Sequence, residues 1–367
     1  MARPVDKITL KGFKSIEALE DFRLHNLNVL IGANGAGKSN FVDYFRMLRA
    51  MADEAFQKYV LEAGGSDGFL FLGPKTTREI FSRIEFGQNS YEHVLQPTAG
   101  GSLLIASETT GYKNSKSTSS SRQESILKSI KDEKSYRNPG FAGVGHYVYD
   151  SVSSWTVYHF HDTSALAPMR RDQSLRDWER FRHDASNVAA FLLHLKEEEE
   201  GSYELIRDTV RLIAPFFDDF LLRPQKRGAN EQVRLEWQQK GSDFPFQPNQ
   251  LSDGTIRFIC LATALLQPQP PATIVIDEPE LGLHPYAISM LADLIESAAE
   301  RTQVIVSTQS PTLLDYFEPD EIVVVSRQQG RSTFQRLDAE ALRTWLEDYS
   351  VGELWQKNVV RGGPTNE

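Results

Sequence analysis

Residues Gly32-Ala33-Asn34-Gly35-Ala36-Gly37-Lys38-Ser39 constrain the fold of this chain more than any other feature. They match the pattern G-x-x-x-x-G-K-[ST]. The apolar run Leu27 to Ile31 precedes them, and helical spacing follows, with Phe41, Phe45, Leu48 and Ala55 on one face and an end near Gly64 and Gly65. Strand, glycine-rich loop and helix in that order make a phosphate cradle, because glycines let backbone N–H groups converge and a helix N-terminus adds positive potential. Lys38 is placed to reach the β and γ phosphates of ATP, and the Ser39 hydroxyl to ligate Mg²⁺. The expected nucleotide contacts are Gly32, Asn34, Gly35, Ala36, Gly37, Lys38, Ser39 and Asn40.

A second apolar strand, Thr273 to Ile276, ends in Asp277 and Glu278. Nucleotides bind at such strand ends in α/β sheets. Two acids there imply two tasks: Asp277 holds Mg²⁺ through its water shell, and Glu278 orients or deprotonates the attacking water. In isolation the pair also reads as a helix-capping turn. Leu251-Ser252-Asp253-Gly254-Thr255 precedes another helix. Ser252 and the Gly254 amide offer donors to an anion, and a plain N-cap accounts for the same residues.

The first and last thirds alternate strand and helix, which is α/β sheet architecture. Further strands are expected at Lys7 to Leu10, Val304 to Ser307 and Ile322 to Val325, and a helix after Pro285. Between Gly68 and Leu235 the rhythm changes. Ile80, Ser82, Ile84 and Phe86 alternate as a strand, Leu103 to Ala106 follows, and Val157 to Phe160 is a later strand. Ser115 to Ser125, rich in serine, is expected as a mobile loop. Helices are expected around Leu175 to Arg182, Val188 to Lys196 and Tyr203 to Leu212, with Glu197 to Glu200 a solvated run. The division is 1–67 for the phosphate-loop part of the core, 68–240 for a meander and helical insertion, 241–340 for the part with the acidic strand, and 341–367 for a tail. Trp345 to Pro364, with Tyr349, Leu354, Trp355, Gly362 and Gly363, is dense enough in aromatics to dock on its own domain or on a partner.

With 367 residues, 40% of them hydrophobic, the chain can bury a sizeable core. No apolar run approaches the roughly eighteen residues a membrane span needs, and no signal peptide is visible at the start, so a cytoplasmic location without membrane contact is expected. Cys260, between Ile259 and Leu261, reads as a buried structural thiol. A net charge of −10 opposes nonspecific attraction to nucleic acid, although a local basic groove stays open. His159, His161 and Asp162 invite a metal reading, which the absence of a further Cys or His cluster disfavours. Arg170, Arg171 and Arg176 are either a phosphate or partner patch or a solvated cluster.

The order of phosphate loop, Ser252 turn and acidic strand resembles the ABC ATPases of the RecF and structural-maintenance-of-chromosomes group. Within it, Gly12-Phe13-Lys14-Ser15 and Asp277-Glu278-Pro279-Glu280-Leu281-Gly282-Leu283-His284-Pro285 look like the AAA_21 ATPases related to overcoming-lysogenization-defect proteins. The resemblance covers both ends and not the middle. It implies an ABC-type P-loop NTPase fold with a mixed sheet, a β-rich N-terminal meander and a helical insertion. It makes Ser252-Asp253-Gly254 a variant signature, Asp253 replacing glycine, that would cover ATP held by a second copy. It implies an ATPase that pairs around ATP and controls a nuclease-like effector in phage defence, or alternatively a RecF-like DNA-binding ATPase of repair or recombination. Glu280, Leu281 and His284 would lie near the other copy, although His284 also reads as a helix-start residue. His159 to Ser164 falls where the Mg²⁺-sensing loop is expected, with Gln173 as its candidate glutamine. The family's switch histidine is replaced by Gln309, which can donate a hydrogen bond but cannot change charge, so turnover is expected to be slow. Ser310-Pro311 after it reads as N-cap and first helical residue.

Overall fold

The computed structural model describes residues 2–135, 140, 142–227 and 230–360. Two compact units emerge, one formed by Met1–Val157, Pro271–Val275 and Thr302–Glu367, the other by Tyr158–Pro270 and Ile276–Arg301.

In the first unit the meander is an antiparallel sheet with strand order Ile16–Arg23, Lys7–Phe13, Ile80–Phe86, Asn89–Pro97, Leu103–Tyr112, Ser115–Arg122. Strand Ile80–Phe86 buries every second residue, as its alternation predicts. The expected serine loop is corrected: Ser115–Arg122 is an edge strand, paired from Tyr112↔Ser115 to Ile105↔Arg122. Almost all its side chains are exposed, so no apolar period marks it, and the ladder is set by its neighbour and by contacts such as Thr109 to Thr118 at 2.9 Å.

The second sheet is mixed, ordered Arg331–Arg336, Ile322–Gln328, Leu27–Ile31, Gln303–Thr308, Thr273–Asp277, Thr156–Tyr158. Leu27–Ile31 runs parallel to both neighbours, and Ile322–Gln328 is antiparallel to Arg331–Arg336. Central strands buried on both faces read as continuous apolar runs, and Leu27–Ile31 is buried throughout. The helix expected to run on to Gly64 divides into Lys38–Ala52 and Phe56–Glu62, with Glu54 at φ 57° between them. Phe45 lies 5.5 Å from Phe41 and 5.8 Å from Trp155, ring to ring, in the core beneath the meander. In the tail, Val351–Gln356 packs on Pro311–Leu314 and buries Leu354, whereas Ala339–Leu346 buries nothing and leaves Trp345 exposed. Gly362, Gly363 and Pro364 lie outside the described residues.

The second unit is built on helices Val188–Glu198, Glu200–Ile213, Asp253–Leu266 and Pro285–Ala299, packed in succession. Glu197 to Glu200 is exposed, and Cys260 is fully buried, with burial pushing its thiol pKa up. The helix expected at Leu175 to Arg182 does not form. Buried Asn187 takes the Arg182 amide at 2.9 Å and donates to the carbonyls of Asp177 and Arg180 at 2.8 Å each, satisfying as turns the backbone groups a helix would have paired internally. Among the described residues no helix is long and apolar enough to cross a membrane.

His93 is fully buried in the meander, cross-strand from Ser82 and Glu108, its ring 5.3 Å from that of Tyr91. Neither ring nitrogen has a hydrogen-bond partner among the described residues. Glu108 instead accepts from the Tyr91 hydroxyl at 2.7 Å, from Ser125 and from the Ile126 amide at 3.0 Å. Burial holds the imidazole down at about 3, against 6.5 in the unfolded chain. The unfolded state therefore binds a proton that the folded state refuses, and this stability is present above pH 6.5 and lost as pH falls toward 3. The free energy of unfolding from urea titrations should fall with pH below 6.5 faster in the parent than in His93→Leu, by up to about 1.4 kcal/mol per pH unit; equal slopes would refute the assignment.

Candidate functional site

The phosphate loop leaves the sheet where two parallel strands, Leu27–Ile31 and Gln303–Thr308, end side by side, while the third, Ile322–Gln328, runs on beside the loop. Ile31 pairs with Thr308 on one side and Val324 on the other, so Gly32 and Gln309 emerge at the same edge. A Cβ on Gly32 would stand 2.1 Å from the Val325 carbonyl oxygen, which excludes any other residue. Gly37 caps helix Lys38–Ala52 at φ 115°, and a Cβ there would fall 2.1 Å from the Ser332 hydroxyl. Ser332 donates to the Ala36 carbonyl at 2.6 Å and meets the Ser15 hydroxyl at 2.6 Å, to which the Asn40 amide donates at 2.6 Å. Asn40 thus braces the loop from behind. Lys14, in the same Gly12 to Ser15 turn, pairs with Asp43.

Lys38 is 5% exposed, with its ammonium on the carbonyls of Gly32 at 2.6 Å and Ala33 at 3.3 Å. A phosphate offers a cation a stronger acceptor than these neutral carbonyls. Ser39, Asn34 and Gly35 are exposed, and Gly35 has open space around it. Two residues of this face escaped the sequence reading: Ser332, and Arg327, whose guanidinium donates to the Gly35 carbonyl at 3.2 Å. Their signal is Ser326-Arg327-Gln328-Gln329-Gly330-Arg331-Ser332, an ordinary hairpin turn. Ser310 caps the helix begun by Pro311, accepting from the Leu313 amide at 3.2 Å, as the plain reading has it.

The remaining motif residues belong to the second unit. Asp277 is 8% exposed, and its Oδ1 has no hydrogen-bond partner among the described residues. An orphaned buried carboxylate oxygen fits a hydrated divalent cation. Glu278 has φ 46°, the left-handed region that non-glycine residues enter at a cost of about 1 kcal/mol or more. The turns Leu281 to Glu278 and Leu283 to Glu280 follow, at 3.3 and 3.0 Å. Leu281 is exposed, and His284 caps helix Pro285–Ala299, its Nδ1 accepting from the Tyr286 amide at 3.3 Å.

Ser252 caps helix Asp253–Leu266, accepting the Thr255 amide at 3.1 Å. Asp253 accepts from Arg170 at 2.8 Å, and the same guanidinium donates to the carbonyls of Thr163 at 3.0 Å, Leu251 at 3.3 Å and Pro248. Arg170 is therefore a buried clamp on the turn, while Arg171 and Arg176 are exposed. Gln173 is also committed, accepting the Ala189 amide at 2.7 Å near the start of helix Val188–Glu198. The rings of His159 and His161 lie 4.0 Å apart, but His161 Nε2 donates to the Asp277 carbonyl at 3.0 Å, and no metal-binding cluster occurs among the described residues.

Solved structures with this fold include the Smc head bound to the C-winged helix domain of ScpA, at 17% identity and a TM-score of 0.54, covering 93% of this chain and 99% of that one. An Smc head with an extended coiled coil, bound to the C-terminal domain of ScpA derived from Pyrococcus furiosus, gives 15% identity and 0.51, covering 94% and 99%. No curated protein sequence matches significantly. The family model described as "AAA domain, putative AbiEii toxin, Type IV TA system" matches residues 27–315, which takes in every motif described above except Gly12 to Ser15. The chain therefore belongs to the AAA_21 family, on an ABC-type ATPase fold.

Proposed function

We propose that this chain hydrolyses ATP as a dimer closed around the nucleotide, and that the cycle controls a nuclease-like effector in phage defence. The observation that carries the nucleotide half is the phosphate loop itself: Gly32 and Gly37 packed too closely for side chains, and Lys38 held on neutral carbonyls at the start of a fifteen-residue helix. On this reading Lys38 leaves Gly32 and Ala33 for the β and γ phosphates. Ser39 and Asp277 would hold Mg²⁺, which supplies charge neutralisation on those phosphates. Glu278 accepts the proton of the attacking water, its strained backbone fixing where the carboxylate points. Gln309 donates at the same sheet edge as the loop without a change of charge.

One phosphate loop and one signature turn occur in the chain, so a complete site draws Ser252 and Gly254 from a second copy. The two Smc heads are each bound to a ScpA domain, which supports a protein as the controlled partner. The net charge of −10 argues in the same direction and against the RecF-like DNA-binding alternative.

ATP turnover should vanish in Lys38→Ala, by a factor of roughly a thousand, in a phosphate-release assay; residual activity near the parent level would sink the site assignment. Glu278→Gln should accumulate an ATP-dependent dimer in light scattering with size exclusion, and a strictly monomeric elution at saturating ATP would rule out the shared site. Co-purification with a nuclease-like protein encoded beside it supports effector control, whereas salt-sensitive, ATP-dependent DNA retention would turn the reading to the DNA-binding alternative.

A further inference from the structure

We propose that Arg257 is a positioning residue that ties the signature turn to the segment 277–283, through the backbone of Phe160–His161 and the ring of His161. The consequence for catalysis rests on the hydrolytic reading above.

Arg257 stands in the second turn of helix Asp253–Leu266 and is 5% exposed. Burying a guanidinium is costly unless its donors are satisfied, and an apolar residue would fill such a position without that cost. Two of its three nitrogens donate to one place. Nε donates to the Phe160 carbonyl at 3.0 Å and Nη2 to the His161 carbonyl at 3.2 Å. From the same residue the path continues, since the His161 ring donates to the Asp277 carbonyl at 3.0 Å.

A second contact runs directly from the helix to the same segment. A Cβ on Gly254 would lie 2.6 Å from the Gly282 carbonyl oxygen, and a Cβ on Gly282 would lie 3.0 Å from Arg257 Nη1. Gly254 is thus glycine for a packing reason apart from any anion. The signature helix meets the acidic segment at Gly282 by close backbone approach and at Asp277 by the Arg257–His161 path. Between these anchors stands Glu278 at φ 46°, a conformation that persists only where its surroundings over-determine it. From Thr255 to Leu266 the helix is buried, and Arg257 stands one turn from the exposed Ser252 and half-buried Gly254, so displacement of that turn bears on Arg257. Engagement of the signature by the other copy's nucleotide thereby reaches the carbonyl of one carboxylate residue and the strained backbone of the next.

The test uses the full chain as Arg257→Lys, His161→Ala and the double variant. Amide exchange without nucleotide should speed up within 278–283 by about tenfold in each single variant. The double variant should go no further than the faster single, and helix Pro285–Ala299 should exchange at the parent rate. With ATP, kcat should fall about tenfold while KM stays within about twofold. Unchanged exchange in 278–283, equal acceleration along Pro285–Ala299, or full additivity in the double variant would each overturn the link. Exchange that behaves as expected in a parent chain without turnover would sustain the link and overturn the hydrolytic reading instead.

Discussion

The carbonyl oxygen of Val325 and the missing side chain of Gly32 set the geometry on which the phosphate loop depends. Parallel pairing on both sides of Leu27–Ile31 ends that strand beside Thr308 and lays Val325, within Ile322–Gln328, against Gly32, and the 2.1 Å separation there forces the chain to turn without a Cβ. The loop then runs under Ser332, which fills the space above Gly37 and holds the Ala36 carbonyl. A hairpin far along the sequence, Ile322–Gln328 with Arg331–Arg336, is therefore part of the loop's support, as is the Ser15 turn that reaches Ser332. Loss of either partner would leave the loop with correct residues in an undefined shape.

What was legible in the sequence follows from this division. The loop, the strand before it and the acidic strand carry their chemistry within a few consecutive residues, so pattern and spacing recover them. The supports do not: Ser15 and Ser332 are 317 residues apart, and Arg170 and Asp253 are 83 apart. Arg170 shows why composition misleads here. In sequence it stands with Arg171 as a small basic patch, yet one guanidinium is buried on three carbonyls and a carboxylate while its neighbour is exposed. Ser115–Arg122 and the loop around Asn187 are opaque to pattern for related reasons, since an edge strand with nothing to bury has no period, and one buried amide can replace a helix.

The replacement of a signature glycine by Asp253 looks unfavourable for gripping a phosphate. Arg170 changes the balance. Its guanidinium, 2.8 Å from the carboxylate and almost fully buried, offsets the added negative charge and anchors the turn to Pro248 and Leu251. A carboxylate in the first turn of a helix is also favoured by the helix dipole, so Asp253 stabilises the turn it occupies. The same dipole is what an incoming anion would use. On the proposed arrangement a phosphate from a second copy would share that N-terminus with Asp253, which would weaken the contact relative to a glycine in its place. Under the proposed two-copy site, the neutral Gln309 and the Asp253 turn would make the contribution of the second copy the weaker one. If the proposed dimer forms, such an arrangement would suit opening and closing with nucleotide more than rapid turnover.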